Sequence, residues 1–168
     1  MPLNNREHIK PTVHGWIADG FARWSSHEAM RACVKLAEKL LHYAEPGEKG
    51  AGWLLIERHA VAGIFRQMRD HGITPEQLFL RVAEYVAFFN RHPERAAERK
   101  VEEFALARGV LHLLPWSLTG RRHGARVLKA LGQIVKDHLY VAANAFVRRL
   151  EDDDAEKGAL LKQAVRFN

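Results

Sequence analysis

Hydrophobic residues recur every three or four positions along most of the chain, which is the spacing of one face of an α-helix. Every periodic segment has this helical spacing. The segments predict helices over residues 12–24, 26–44, 51–71 and 75–90, and then over 93–113, 121–150 and 154–165. The pattern therefore predicts an all-α helical bundle of six or seven helices.

Local residues mark several of the predicted helix ends. Ser25 with Glu28, and Thr74 with Gln77, have the spacing of capping boxes, in which each side chain bonds the backbone N–H of the other residue. Gly72 is typical of the residue that follows a helix end. These signals predict helix starts at 26 and 75 and a helix end near 71.

The helix over 75–90 is the expected centre of the bundle. Between Leu78 and Phe89 its only strongly polar residues are Arg81 and Glu84. A helix that is apolar nearly all round must be covered on several sides. We therefore expect the other helices to pack around it, with Val82, Val86 and Phe89 in the core.

An acidic run, Glu151 to Asp154, separates the last two predicted helices. Carboxylates are unfavourable at a helix C-terminus and favourable at an N-terminus, because of the helix dipole. The run therefore predicts that a helix ends at 150 and that Asp152 to Asp154 begin a short one.

Length and composition predict one ordinary domain. The chain has 168 residues, of which 47% are hydrophobic and 27% charged, with a mean hydropathy of -0.30. We expect a polar arm over 1–11 and a helical domain over 12–168. The chain contains no apolar run near the roughly 20 residues of a membrane span, and its start has no apolar core of a secretory signal. These observations predict a cytoplasmic protein without a membrane partner.

Basic residues concentrate between residues 114 and 150, where seven basic side chains accompany one acidic side chain, Asp137. This segment alone has a net charge equal to the +6 of the whole chain. On a helical projection its apolar residues share one face: Leu128, Leu131, Val135, Leu139, Ala142, Phe146 and Leu150. The opposite face, called here the basic ridge, comprises Arg122, Arg126, Lys129, Gln133, Lys136, Tyr140, Asn144 and Arg148. The ridge would be roughly 39 Å long, enough to lie along about one turn of a nucleic-acid duplex.

The start of this helix indicates an anion site. Basic residues in a first turn reduce stability, because the helix N-terminus is itself partly positive. Four such residues lie there, preceded by a hydroxyl at Thr119: Arg121, Arg122, His123 and Arg126. With the free backbone N–H groups they suit a phosphate or the carboxylates of a partner protein. The alternative is internal pairing with Glu94, Glu98 and Glu102, if the fifth and sixth helices pack antiparallel.

Trp116 lies just before this cluster of basic residues. Its indole ring can stack on a base or a sugar. The alternative is a structural role, because a tryptophan after a proline at a helix corner often packs as a hydrophobic staple.

Catalytic and metal-binding motifs are missing from the sequence. It contains no P-loop, no GxGxxG, no GxSxG and no pair of histidines one helical turn apart in an HExxH motif. Glu38, His42 and Glu45 share a helix face but lack a second histidine. Cys33 is the single cysteine, and its periodic surroundings predict a small buried hydrophobe. We therefore expect no enzymatic activity, no cofactor and no metal.

Two functions remain. The first is non-enzymatic binding of nucleic acid, either DNA or RNA, through its phosphate backbone and without sequence specificity, within a nucleoprotein complex or alone. The second is an adaptor or inhibitor whose basic ridge binds an acidic protein surface. Both would use the same side chains: Trp116, Thr119, Arg121, Arg122, His123, Arg126, Lys129, Lys136, Tyr140 and Arg148.

Overall fold

The computed structural model describes residues 13–44, 53–91, 102–115 and 123–167. Within these ranges the chain forms six helices and no strand. They are α1 (Val13–Trp24), α2 (Glu28–Leu41), α3 (Trp53–Asp70), α4 (Pro75–Arg91), α5 (Glu102–Leu111) and α6 (Ala125–Phe167). The all-helical bundle predicted from the sequence is confirmed. None of the helices in these ranges is long and apolar enough to cross a membrane.

The predicted boundary between α3 and α4 is confirmed in its details. The N–H of Gly72 donates to the carbonyl of Arg69, and that of Ile73 to the carbonyl of Met68, with Gly72 at φ 76°. This is a Schellman motif, in which the left-handed residue is favoured as glycine. The Thr74 N–H then donates to Gln77 Oε1 at 2.9 Å, and the Gln77 N–H to Thr74 Oγ1 at 3.2 Å. Both halves of the capping box are therefore present.

The capping box predicted at Ser25 is wrong. The hydroxyl of Ser25 donates to the carbonyl of Ala22 at 3.2 Å, which satisfies the end of α1 instead of the start of α2. The helix α2 begins at Glu28 with His27 as its N-cap, and the His27 side chain makes no capping hydrogen bond. The helix also ends at Leu41 rather than 44.

The predicted break after residue 150 is also wrong, because α6 is one helix of 43 residues. The Asp153 carboxylate accepts a hydrogen bond from the Arg23 guanidinium at 2.7 Å. The Asp154 carboxylate accepts one from Trp16 Nε1 at 2.5 Å. These partners belong to α1, so the acidic side chains are stabilised by a neighbouring helix and α6 continues through them.

All six described helices contribute buried residues to one core. Val82, Val86 and Phe89 are buried, as predicted, and so are the other inward residues of α4: Leu78, Phe79, Ala83 and Ala87. Helix α4 packs against α1, α2, α5 and α6, and α6 packs against α2, α3, α4 and α5 and also contacts α1. Because α6 has at least as many neighbours, the place of α4 as the single centre stays a prediction.

Helices α5 and α6 approach each other most closely at Gly132. A Cβ atom at this position would lie 2.7 Å from the Glu103 Cα and closer still to its carbonyl group. Only glycine leaves room for a backbone at that distance. The fifth predicted helix, over 93–113, corresponds to α5 from residue 102 onward, and its first part lies outside the described residues.

Candidate functional site

The long helix begins four residues later than predicted. The N–H of Leu128 donates to the carbonyl of Gly124 at 3.1 Å, and α6 starts at Ala125 rather than at 121. Gly124 therefore accepts the first helical hydrogen bond, and the half-buried His123 precedes the helix. Arg126 is still in the first turn, which contains no acidic residue. Arg126 is therefore still a basic side chain at a helix N-terminus, where the helix dipole makes a positive charge unfavourable.

Four predicted site residues lie in the segment 116–122, outside the described residues: Trp116, Thr119, Arg121 and Arg122. The same holds for Glu94, Glu98 and the side chain of Glu102, which were the expected internal partners. The anion site and its internal alternative at these positions therefore stay predictions.

The predicted apolar stripe of α6 is largely buried, and the basic ridge beside it is only partly exposed. Leu131, Val135, Leu139, Phe146 and Leu150 are buried, while Leu128 and Ala142 are half-buried. On the ridge, exposed side chains occur at both ends: Arg126, Lys129, Gln133 and Arg148. The residues between them are half-buried: Lys136, Tyr140 and Asn144.

The middle of the ridge packs beside α5. Lys136 Nζ lies 3.7 Å from Glu103 Oε1 and 5.7 Å from the centre of the Tyr140 ring. Gly132 lies one turn before Lys136 and permits the close approach that brings Glu103 to this position. The sequence interpretation missed Glu103. A glycine inside an amphipathic helix signals a close approach, but it does not identify the residue on the other helix.

The ridge also turns toward α4 near its end. Asn144 Oδ1 accepts a hydrogen bond from Asn90 Nδ2 at 3.4 Å. The exposed basic residues therefore form two groups, one at Arg126 and Lys129 and one at Arg148, about 28 Å apart along the helix axis. Exposed Asp137 and Val141 lie between them on the outer surface of α6.

Arg149 follows Arg148 in the chain and is not a ridge residue, and the sequence interpretation did not select it. Its guanidinium lies over the ring of Trp24, with Cζ 4.1 Å from the ring centre. A cation at this distance is attracted by the negative face of the indole ring. Arg149 is nevertheless exposed, so its N–H groups remain accessible beside those of Arg148.

Cys33 is half-buried rather than fully buried. Burial raises the pKa of its thiol, and a backbone hydrogen bond offsets part of that rise. A raised pKa keeps the thiol protonated at neutral pH, which is the opposite of what a nucleophilic cysteine needs. The predicted burial of Cys33 is therefore met only in part.

The described residues contain no group of three histidine, cysteine, aspartate or glutamate side chains able to hold a metal. Of the trio Glu38, His42 and Glu45, which the sequence interpretation did not select as a site, His42 Nδ1 accepts a hydrogen bond from Arg69 at 2.8 Å, and Glu45 lies outside the described residues. An arginine donor requires the unprotonated ring nitrogen, so this nitrogen is already engaged.

Comparison with models of protein families, with curated proteins and with solved structures found no match to the chain.

Proposed function

We propose that this protein is a non-enzymatic, cytoplasmic nucleic-acid-binding protein, alone or as part of a nucleoprotein complex. It contacts the phosphate backbone through the basic ridge of α6 and has little sequence specificity. The observation that carries the proposal is the N-terminal part of α6. Between residues 123 and 136 it contains three basic side chains and no acidic one, and Arg126 and Lys129 are exposed.

The two exposed groups of the ridge suit a long polyanion. Arg126 and Arg148 are 22 positions apart, which is about 33 Å of helix and close to one turn of a B-form duplex. Lysine and arginine side chains that each neutralise one phosphate release bound counterions, and this gives affinity without reading the bases. Tyr140, half-buried between the groups, has its ring beside Lys136. It therefore contributes less than an exposed residue to stacking on bases.

The ion pair of Lys136 lowers the expected salt dependence. If Arg122, Arg126, Lys129, Lys136 and Arg148 each neutralise one phosphate, the slope of log affinity against log salt is about -4.5. If Lys136 stays with Glu103, four contacts remain and the slope is about -3.6. This pair is partly exposed and its atoms are 3.7 Å apart, so it is weak enough to be exchanged for a phosphate.

The test measures binding of a fluorescently labelled 20-base-pair duplex by anisotropy, between 50 and 200 mM salt. The double variant Arg126→Glu, Lys129→Glu is expected to abolish binding at 50 mM salt, while its circular dichroism is unchanged. The matched control is Lys35→Glu, Lys39→Glu, which alters the net charge equally at exposed positions of α2. This control is expected to bind more weakly but measurably, because it changes only the long-range attraction.

Equal loss in both double variants would show attraction by net charge alone, without a defined ridge. No binding of the wild-type protein at 50 mM salt would reject the proposal. In that case the same variants are tested with polyglutamate. If the wild-type protein binds polyglutamate and the double variant Arg126→Glu, Lys129→Glu does not, an acidic protein partner is favoured.

A further inference from the structure

A pocket of about 420 Å³ opens between the first half of α2, with the turn before it, and the middle of α6. Met30 and Phe146 are buried in its wall, and half-buried Cys33 lies with them. The exposed Ala29 and Ala145 lie at its opening. Pockets that bind small molecules have volumes of about 300 to 1,000 Å³ and largely apolar walls with a few polar groups. This pocket has the size and lining of such a site.

The charged groups at the opening favour an anion. Arg148 and Arg149 both line the pocket and are exposed, whereas Asp152 is the one carboxylate in its described lining. Among the described residues, Asp152 forms no ion pair with either arginine. The next two carboxylates of α6, Asp153 and Asp154, bond to α1.

The position of Arg149 also favours binding of an anion. The stacking of Arg149 over Trp24 fixes its guanidinium at the edge of the apolar wall, so less side-chain freedom is lost when an anion binds. The Cys33 thiol is neutral because burial raises its pKa, so the wall itself carries no negative charge that would repel an anion.

We propose that this pocket binds an amphipathic organic anion. Its apolar body lies against Met30, Cys33 and Phe146, and its carboxylate or sulfonate group meets Arg148 and Arg149. A neutral apolar ligand would gain nothing from the two arginines, and a cation would be repelled by them. The inference does not rest on nucleic-acid binding. Arg148 belongs to the basic ridge, but Arg149, the key residue of the pocket, does not.

The test uses the fluorescence of anilinonaphthalene sulfonate, an aromatic anion, with the full chain. We expect saturable binding of one dye per chain and displacement of the dye by octanoate. The matched competitor is 1-octanol, which has the same chain length without the charge. Octanoate is expected to displace the dye at a concentration about tenfold lower, because a charge-assisted contact contributes at least a factor of this size.

Four variants assign the binding to this pocket. Arg149→Gln is expected to weaken the dye and octanoate about tenfold and to leave 1-octanol unchanged, whereas Arg149→Lys keeps most of the affinity. Ala145→Trp places an indole at the opening and is expected to abolish binding of all three. Lys39→Gln, on the exposed face of α2, is the control for lost charge and is expected to bind like the wild type.

Two results would overturn the proposal, because each would show that the dye binds elsewhere on the surface. One is wild-type affinity for the dye in Ala145→Trp. The other is an equal loss of affinity in Lys39→Gln and Arg149→Gln. Equal potency of octanoate and 1-octanol would overturn the role of the arginines. If circular dichroism shows that Arg149→Gln is misfolded, Arg148→Gln replaces it, because the exposed Arg148 supports no described contact of the fold.

Discussion

Replacement of Gly132 by alanine tests the packing that determines which part of the basic ridge is exposed. An alanine Cβ would collide with the backbone of Glu103, at 2.5 Å from its carbonyl carbon and 2.7 Å from its Cα. A backbone cannot move aside as a flexible side chain can, so α5 and α6 must separate. Overpacking of this kind costs about 1 to 3 kcal/mol. It outweighs the gain of about 0.5 to 1 kcal/mol that alanine brings to a helix interior.

The matched control is Gly63→Ala. Gly63 lies within α3, and a Cβ there meets no atom within 4 Å. Alanine favours the helix interior here as it does at position 132, but it meets no neighbouring atom. The substitution is therefore expected to raise the free energy of unfolding by about 0.5 to 1 kcal/mol. The two variants thus carry the same chemical change with opposite expected signs.

The free energies of unfolding are measured by urea denaturation followed at 222 nm, with the slope checked for two-state behaviour. For a chain of this size, each 1 kcal/mol corresponds to a shift of about 2 to 4 °C in Tm. An increase in stability for Gly132→Ala, similar to that of Gly63→Ala, would refute the close approach of α5 and α6. It would also remove the reason for placing Glu103 beside Lys136.

Three further outcomes are expected. Phe79→Ala should lower the free energy of unfolding by about 3 to 5 kcal/mol, because Phe79 is fully buried; a loss under 1 kcal/mol in denaturation would place α4 at the periphery. Thr74→Ala should lower the free energy of unfolding by about 1 kcal/mol and Ser25→Ala should change it little, because of these two residues only Thr74 caps the start of a helix. Equal losses of stability in the two variants would contradict this difference. The thiol of Cys33 should react with iodoacetamide more slowly than in the unfolded chain, with its rate rising at a higher pH, since its pKa is raised; identical pH profiles would argue against burial.

The sequence predicted the helices well because most helix-forming information is local. Periodic apolar positions and the capping residues around Gly72 and Thr74 act within a few residues of each other. Ser25 shows the limit of such signals. Its spacing to Glu28 fits a capping box, yet α1 ends at Trp24, so the hydroxyl reaches a carbonyl of α1 first. The end of α1 and the start of α2 both offer backbone groups to this hydroxyl, and a local pattern does not show which of them it will bond.

The acidic run at the end of the ridge illustrates a second limit. Helix-dipole reasoning treats Asp153 and Asp154 as members of a single helix and therefore expects a new N-terminus. Their hydrogen bonds to Arg23 and Trp16 join residues more than 120 positions apart in the chain. A dipole contribution of about 0.3 to 1 kcal/mol is small enough to be offset by two charge-assisted hydrogen bonds, even at exposed positions.

The composition of the basic ridge depends on the same kind of distant contact. A helical projection measures only the angle of each residue from one apolar stripe. Helix α6 contacts all five other described helices, so its buried face is wider than that stripe. Lys136 and Asn144 lie at the edge of this face, where Glu103 and Asn90 meet them. A polyanion that binds the ridge must therefore either contact only its two exposed ends or displace Glu103 from Lys136. These cases are distinguished by Glu103→Gln, which removes the carboxylate that pairs with Lys136. It should steepen the salt slope by about 0.9 in the first case and leave the slope unchanged in the second.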